Sequence, residues 1–329
     1  MTERRQRGEF QLIRELFAPL ARGAEGALDL RDDACLIRPD PGHELVVTSD
    51  AIVADVHFLA DDPPETVGRK LLRVNLSDLA AMGAAPLGYL LTAILAPEHR
   101  GDWIDSFAAG LGADQAVFDI TLLGGDTVAT TGPSTFSVTA FGQARRDAVL
   151  RRGGAGVGDL VYVSGTIGDA YLGLMALRGE LPALADDGRA ALVARYRVPT
   201  PRVALGRRLA HLVSAAIDIS DGLLADLGHL CASSGLGAEI RVAAIPVAQA
   251  VAALLVQTPA LRSRVLSGGD DYELLFTVPS GNQRSVEEAS RDTGVPIRHV
   301  GEMVAADGVR CLDENGATIP NESGGYAHF

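Results

Sequence analysis

The residues of this chain that could do chemistry are mostly aspartates, and they lie where predicted strands end. Asp32 and Asp33 form a pair in LRDDACLI. Ser49 and Asp50 close the apolar run LVVTSD, and Asp126 follows two glycines in TLLGGDT. Carboxylate and hydroxyl oxygens are the ligands that Mg2+ prefers in proteins, whereas zinc is usually held by clustered histidine or cysteine. The pattern therefore predicts a magnesium site rather than a zinc site.

The second half of the chain offers a similar group of residues. In AIDISDGLL, Asp218 and Ser220 alternate with two isoleucines, so a strand would place them on one face. Asp221 then begins a predicted helix, whose free N–H groups favour an anion such as phosphate. Asp270 and Asp271 follow two glycines in SGGDDYELL. The segment around Ser220 would thus combine two carboxylates, a hydroxyl and a phosphate-binding helix end.

Asp78 is placed unusually in the predicted helix 64–82. It follows Val67, Leu71 and Val74 at spacings of four, three and four, so it continues an apolar stripe. Burying a carboxylate without a partner is costly, and a cation is the simplest partner.

Each of these residues also has an ordinary structural explanation. Ser220 or Asp221 could be the N-cap of helix 222–232. The Gly-Gly-Asp sequences could be turns, and Asp78 could reach solvent at a helix end. Taken one at a time, the residues leave both interpretations open.

The elements that must position these side chains alternate without a strict βαβ order. In the first half we expect strands at ELVVTSDAIV, LGYLLTAILA, DITLLGGD and STFSVTAFGQ, and helices at 64–82 and 101–116. The segment RRDAVLRRGGAGVGD cannot build a core and marks a domain boundary. In the second half, strands include AAIDIS, YELLFTV and a pair near 297–304 and 308–312. The pattern predicts an α+β fold with domains 1–145 and 146–329.

Composition excludes several classes of protein. The 329 residues include 29 Lys+Arg and 42 Asp+Glu, for a net charge of -13, which argues against nucleic acid or an anionic membrane as the main partner. Lys70 is the sole lysine, and its context VGRKLLR matches neither a Walker A loop nor a protein-kinase strand. MTERRQRGEF leads into no signal-peptide core, and the three cysteines lack metal-ligand spacing. We therefore expect a cytoplasmic protein with reduced thiols.

Seven motifs, in order along nearly the whole chain, carry a family resemblance: GEFQLIRELF, RDDACLI, VVTSDAIVADVHF, VNLSDLAAMGAAPLGYLL, LLGGDT, AIDISDGLLADLGHL and SGGDDYELLF. The chain resembles the thiamine-monophosphate kinases, within the superfamily of aminoimidazole ribonucleotide synthetase. The resemblance implies a two-domain α+β fold. Its N-terminal domain would bind metal and ATP and pair through its sheet into a homodimer, while its C-terminal domain would complete the nucleotide and substrate sites. It also implies transfer of the ATP γ-phosphoryl group to thiamine monophosphate.

The same resemblance assigns roles to single positions. The implied Mg2+ ligands are Asp33, Ser49, Asp50, Asp78, Asp126, Asp218 and Asp221. The implied ATP contacts are Gly125, Asp126, Arg152 and Ser220. The implied contacts to the thiamine moiety are His57, Asp270 and Tyr326.

Two departures from the family pattern affect these assignments. The frequent Gly-Ile-Gly ahead of the aspartate pair is here Asp29-Leu30-Arg31, so side chains stand where the family often has bare backbone. Asp270 stands where the family often has Glu, which shortens the reach by one methylene.

The implied reaction needs charge neutralisation more than proton transfer. The acceptor phosphate is already largely ionised near neutral pH, so no general base is assigned. Several Mg2+ ions would bridge the ATP oxygens and the acceptor phosphate, and catalysis would be in-line positioning.

Other functions are weighed against this one. Selenophosphate synthetase would require a reactive cysteine in a glycine-rich N-terminal segment, and the hydrogenase-maturation carbamoyl-handling protein would require a cysteine at the extreme C-terminus. This sequence has neither. An aminoimidazole ribonucleotide synthetase-like enzyme, or a non-catalytic regulator that binds Mg-nucleotide, remains the alternative.

Overall fold

The structure is a computed structural model, and it describes residues 8–319. The chain divides into two compact units. The N-terminal unit comprises the described residues up to Leu79 together with Ala85–Arg146, and the C-terminal unit comprises Ala80–Ala84 and the residues from Asp147 onward. The roles expected for domains 1–145 and 146–329 stay predictions. In the part of the chain that the structure describes, no helix has the length and apolar character to cross a membrane.

The N-terminal unit combines one sheet with two long helices. Its helices are α1 (Glu9–Leu12), α2 (Pro64–Ala81) and α3 (Asp102–Phe118), and its strands are β1 (His43–Val53), β2 (Ala85–Leu95), β3 (Thr121–Ala129) and β4 (Thr135–Arg145). Short π and 3-10 helical segments lie within 13–30 and at 97–99. The elements expected in this half are confirmed, with ends that shift by a few residues.

The four strands form a sheet in the order β1-β4-β2-β3. β4 is antiparallel to both β1 and β2, and β2 is parallel to β3. Along β4, Phe136, Val138 and Ala140 are buried, while the alternate residues are half-buried. The ring of Phe107 in α3 stacks on Phe136 with centroids 4.4 Å apart. The helices therefore cover one face of the sheet and leave the other for a cavity.

Two glycines let α2 and α3 approach closely. A Cβ on Gly68 would lie 2.3 Å from the carbonyl oxygen of Phe107, and one on Gly110 would lie 2.1 Å from that of Glu65. Because no side chain fits at such distances, the helices pack backbone to backbone there. This packing fixes α2, which carries Asp78, against α3, and α3 in turn packs on β4.

The C-terminal unit is built on a seven-stranded sheet. Its helices are α4 (Asp169–Leu177), α5 (Asp186–Arg197), α6 (Val203–Leu209), α7 (Leu223–Ser234), α8 (Gln249–Gln257), α9 (Leu261–Ser267) and α10 (Gln283–Thr293). Its strands are β5 (Leu160–Ser164), β6 (Ala215–Asp218), β7 (Gly237–Arg241), β8 (Leu274–Val278), β9 (Ile297–Val304), β10 (Gly308–Leu312) and β11 (Thr318–Ile319).

The strand order of this sheet is β11-β10-β7-β9-β5-β8-β6. The expected pairing of 297–304 with 308–312 is wrong. β7 lies between the two strands, antiparallel to β9 and parallel to β10. The apolar faces of β7 and its neighbours pack with α7 into one core, and a second core joins α4, α5, α8 and α9. Mixed sheets and helices without strict alternation confirm the α+β class.

Candidate active site

A cavity of about 520 Å3 lies in the N-terminal unit, and three predicted site residues line it: Asp33, Gly125 and Asp126. Asp126 is exposed and sits opposite Thr92 of β2, another lining residue. Its Oδ1 accepts the N–H of Thr127 at 2.8 Å. Strands β2 and β3 and the loop around Asp33 thus place two carboxylates and a hydroxyl around one cavity.

Gly125 explains the double glycine in LLGGDT. Its φ is 154°, and a Cβ there would lie 1.8 Å from the carbonyl oxygen of Leu91. Because no side chain fits, the backbone of β3 itself forms this part of the cavity wall. The assignment of Gly125 as a backbone contact to ATP stays a prediction.

The loop that carries Asp33 adopts an unusual conformation. Leu28, Asp29 and Leu30 have φ values of 51°, 57° and 53°, in the left-handed region that favours glycine. Two of these residues belong to the segment that departs from the family's Gly-Ile-Gly. The backbone therefore takes a glycine-like path although the sequence supplies side chains.

Ser49 and Asp50 point to opposite faces of β1, as neighbours in a strand must. The Ser49 hydroxyl lies 3.1 Å from the hydroxyl of Thr139, which lines the cavity. On the other face, Thr48 donates to the carboxylate of Asp78 at 2.5 Å. Asp50 shares that face with Thr48. The predicted ligands of this unit are therefore divided between the cavity and the α2 side of the sheet.

His57 is anchored by the sole lysine. The buried Lys70 donates to the carbonyl oxygen of His57 at 3.0 Å, and the Nδ1 of His57 accepts the N–H of Val53 at 3.1 Å. A neutral His57 therefore carries its proton on Nε2. Lys70 therefore supports the backbone of a predicted substrate residue.

In the C-terminal unit, β6 ends at Asp218 and α7 begins at Leu223, after Gly222. The interpretation of Ser220 or Asp221 as an N-cap is wrong, since no side chain caps this helix. Instead the carboxylate of Asp226, in the first turn of α7, accepts the N–H groups of Ser220 at 3.0 Å and Asp221 at 3.1 Å. Those two amides are therefore not open to a phosphate. They precede α7, so the expectation of an anion at the helix N-terminus itself stays a prediction.

Asp226 is a buried residue that the sequence analysis missed. The pKa of Asp226 is raised to about 7, mainly by desolvation and secondly by the negative charge of Asp221. Hydrogen bonds from backbone amides act in the opposite direction and lower this pKa. Ligand atoms of Asp221, Asp226 and His229 all lie within 4.8 Å of one another. An imidazole therefore lies close to Asp221, and the expectation of oxygen ligands alone stays a prediction. Within residues 8–319 this is the one group of three His, Cys, Asp or Glu residues with ligand atoms this close together. No three predicted carboxylate ligands of the N-terminal unit therefore lie within 4.8 Å of one another in the described residues.

The loop that contains Asp270 packs against Ser220. The N–H of Asp270 donates to the carbonyl oxygen of Ser220, and the N–H of Tyr272 donates to that of Ile219, both at 2.8 Å. Asp270 and Tyr272 have left-handed backbones, with φ of 73° and 51°. Within this unit, a predicted substrate residue and a predicted nucleotide residue are thus neighbours.

Two further acids hold this loop. Asp271 is buried and accepts the N–H groups of Gly168 at 2.6 Å and Ala170 at 3.2 Å. Desolvation raises its pKa well above the ordinary value. The buried Glu273 accepts from Arg195 at 2.8 Å and forms a second ion pair with Arg202. The alternating acids in GGDDYE are the sequence signal that could have suggested two inward-facing carboxylates.

Arg152 is exposed, and the residues on either side of it are held by backbone contacts. The neighbouring Arg151 accepts the N–H of Ala216 in β6 through its carbonyl oxygen at 2.8 Å, and Gly153 packs against Ser233 of α7. Tyr326 lies outside the described residues. The roles assigned to individual residues stay predictions.

Comparison with known proteins covers both units. The family models of the AIR synthase related protein match here, with the N-terminal domain over residues 31–144 and the C-terminal domain over 156–314. A thiamine-monophosphate kinase of Caulobacter vibrioides is 42% identical over 319 residues, which are 96% of this chain and 90% of that protein.

Solved structures agree with this result. The crystal structure of thiamine-monophosphate kinase from Stenotrophomonas maltophilia K279a has a TM-score of 0.79 and 41% identity, covering 88% of this chain and 91% of that one. AaThiL complexed with AMPPCP and TMP has a TM-score of 0.78 and 29% identity, and the match covers 98% of this chain and 97% of that one. The resemblance noted in the motifs is confirmed, and the chain belongs to the thiamine-monophosphate kinase family of AIR synthase related proteins.

Proposed function

We propose that this protein transfers the γ-phosphoryl group of ATP to thiamine monophosphate, giving thiamine diphosphate and ADP. The observation that carries the proposal is similarity over 98% of the chain to AaThiL complexed with AMPPCP and TMP. The cavity beside Gly125 and Asp126 and the contact between Asp270 and Ser220 support it, because they group residues assigned to each substrate.

Mg2+ fits the donor groups of this chain. The cavity is lined by the carboxylates of Asp33 and Asp126, and hard oxygen donors of this kind suit Mg2+. The sole lysine is buried beneath His57, so it does not neutralise a bound phosphate. When bound, Mg2+ would neutralise charge on the phosphate oxygens. We propose that it is held by the implied set: Asp33, Ser49, Asp50, Asp78, Asp126, Asp218 and Asp221.

The remaining residues bind and orient the substrates. Gly125 offers backbone to ATP, Ser220 offers a hydroxyl, and Arg152 is suited to hold a phosphate with its planar guanidinium. His57, Asp270 and Tyr326 would orient the thiamine moiety. The acceptor phosphate is already ionised, so the chain need only hold it in line with the γ-phosphorus.

We further propose that the enzyme works in the cytoplasm as a homodimer paired through the N-terminal sheet. The outward side chains of β1 support pairing, since Leu45 and Val47 are 40% and 53% exposed. Exposed apolar groups on one sheet face are typical of a surface that another protein covers.

An assay of ADP release tests the function. Thiamine monophosphate should stimulate ADP release, while thiamine and substrates of the aminoimidazole ribonucleotide pathway should not. EDTA should abolish turnover and added Mg2+ should restore it. ADP release that ignores thiamine monophosphate would favour another enzyme of the superfamily. Binding of Mg-nucleotide without turnover would favour the non-catalytic regulator.

A further inference from the structure

Asp226 contacts two residues of the proposed site through their backbone. Its Oδ2 accepts the N–H groups of both Ser220 and Asp221, at 3.0 and 3.1 Å. Asp226 itself is only 2% exposed, so it is screened from bound substrates. The two hydrogen bonds to backbone N–H groups connect Asp226 to the proposed site.

The other side of the same peptide groups is bonded as well. A trans peptide group is planar, and its N–H and C=O point in opposite directions. The Ser220–Asp221 peptide donates to Asp226 and accepts the N–H of Asp270 at 2.8 Å. The Ile219–Ser220 peptide donates to Asp226 and accepts the N–H of Tyr272 at 2.8 Å. Two consecutive peptide planes are thus held from both sides.

Close packing leaves little room for these peptides to rotate. A Cβ on Gly269 would lie 2.2 Å from the carbonyl oxygen of Ser220, and one on Gly222 would lie 2.6 Å from that of Ser267. Asp226 therefore fixes the direction of the Ser220 and Asp221 side chains, and through the Ser220 carbonyl it also supports Asp270.

We propose that Asp226 is a positioning residue for both substrates: it orients Ser220 and Asp221 toward Mg-nucleotide and, through Ser220, sets Asp270 for the acceptor. This inference rests on the proposed function. Residues that orient metal ligands without touching the metal typically change metal affinity by about 10–100-fold.

Asp159→Asn provides the matched control for Asp226→Asn. Asp159 is also a buried carboxylate of the C-terminal unit, and it accepts the N–H of Gly156 at 2.8 Å and the hydroxyl of Ser214 at 2.5 Å. Neither donor is a predicted site residue. Both variants should lower the melting temperature, since each disturbs buried hydrogen bonds.

Only Asp226→Asn should weaken Mg2+-dependent binding of AMPPCP in calorimetry, by about tenfold or more. It should also raise the Mg2+ concentration for half-maximal ADP release and the KM for thiamine monophosphate, and excess Mg2+ should recover part of its activity. An Asp226→Asn protein with the parent's AMPPCP affinity and Mg2+ dependence would overturn the proposal.

Hydrogen–deuterium exchange of the parent supplies a measurement that needs no variant. The amides of Ser220 and Asp221 should exchange slowly, and exchange at the rate of an open loop would refute the role of Asp226. Failure of the parent to bind Mg-AMPPCP would instead count against the proposed function, so the two failures are distinguishable.

Discussion

The phenol of Tyr272 donates a hydrogen bond to the Oδ1 of Asp270 at 3.2 Å, although both residues occupy left-handed backbone conformations. Such conformations are costly for residues other than glycine and are often retained at functional sites. The side chain assigned to the thiamine moiety is therefore oriented by its second neighbour in the chain.

Tyr272→Phe should raise the KM for thiamine monophosphate about three- to tenfold, because one hydrogen bond of about 0.5–1.5 kcal/mol is lost. The KM for ATP should stay nearly unchanged. Steady-state kinetics with both substrates varied measure this. If only the KM for ATP rose, the assignment of Asp270 to the thiamine monophosphate site would be contradicted.

Asp218→Asn should reduce turnover by about 100-fold or more if Asp218 binds an essential metal ion, since a neutral amide is a weaker ligand for Mg2+. Asp218 is buried at the end of β6, and the amide is nearly isosteric, so the melting temperature should change little. The exposed Asp307→Asn is the control. Full activity in the Asp218 variant would identify it as a structural residue.

Asp29→Gly should stabilise the protein by about 1 kcal/mol, because glycine adopts the left-handed backbone at this position without a steric penalty. Calorimetry should show a higher melting temperature. Asp32→Gly, in the same loop but without a positive φ, should leave stability unchanged or lower it. A lower melting temperature for Asp29→Gly would mean that Asp29 makes a compensating contact.

Asp169→Asn should change how stability depends on pH. The hydroxyl of Thr166 donates to Asp169 Oδ2, while Oδ1 is buried without a hydrogen-bond partner in the described part of the chain. Desolvation raises the pKa of Asp169. A carboxyl with a raised folded-state pKa contributes stability that is fully present below its ordinary pKa and is lost as the pH rises through the folded-state value.

The Asn variant should therefore gain stability relative to the parent as the pH rises above the ordinary pKa of an aspartate, in thermal or urea unfolding. Asp307→Asn, at an exposed position, should follow the parent at every pH. Parallel curves for Asp169→Asn and the parent would show that Asp169 keeps its ordinary titration.

Sedimentation at micromolar concentration should give twice the chain mass of 34.4 kDa. Val47→Glu should shift the equilibrium toward monomer, because it places a charge on the exposed apolar face of β1. A parent protein that sediments as a monomer would contradict the proposed pairing.

The sequence predicted the strands and long helices of the N-terminal unit because their apolar periodicity is local. It paired β9 directly with β10 and did not predict that β7 lies between them, since the partner of a strand depends on distant residues rather than on its own pattern. Prediction of the site from local sequence patterns meets the same limit. Asp270 and Asp271 are adjacent identical residues, and only the fold determines that Asp271 is buried at the start of α4. Nothing in the sequence indicated the role of Asp226, because its contact with the Ser220 amide depends on how the chain turns ahead of α7.

The pairing of β1 with β4 runs without interruption from His43–Arg145 to Val53–Thr135. Because side chains alternate, a slip of this edge strand by one residue would exchange the faces on which Ser49 and Asp50 lie. The hydroxyl would then lie among the helices and the carboxylate in the cavity. The register of β1 therefore determines which of these two predicted Mg2+ ligands faces the cavity side of the sheet, and an insertion or deletion in β1 would exchange them even if the fold survived.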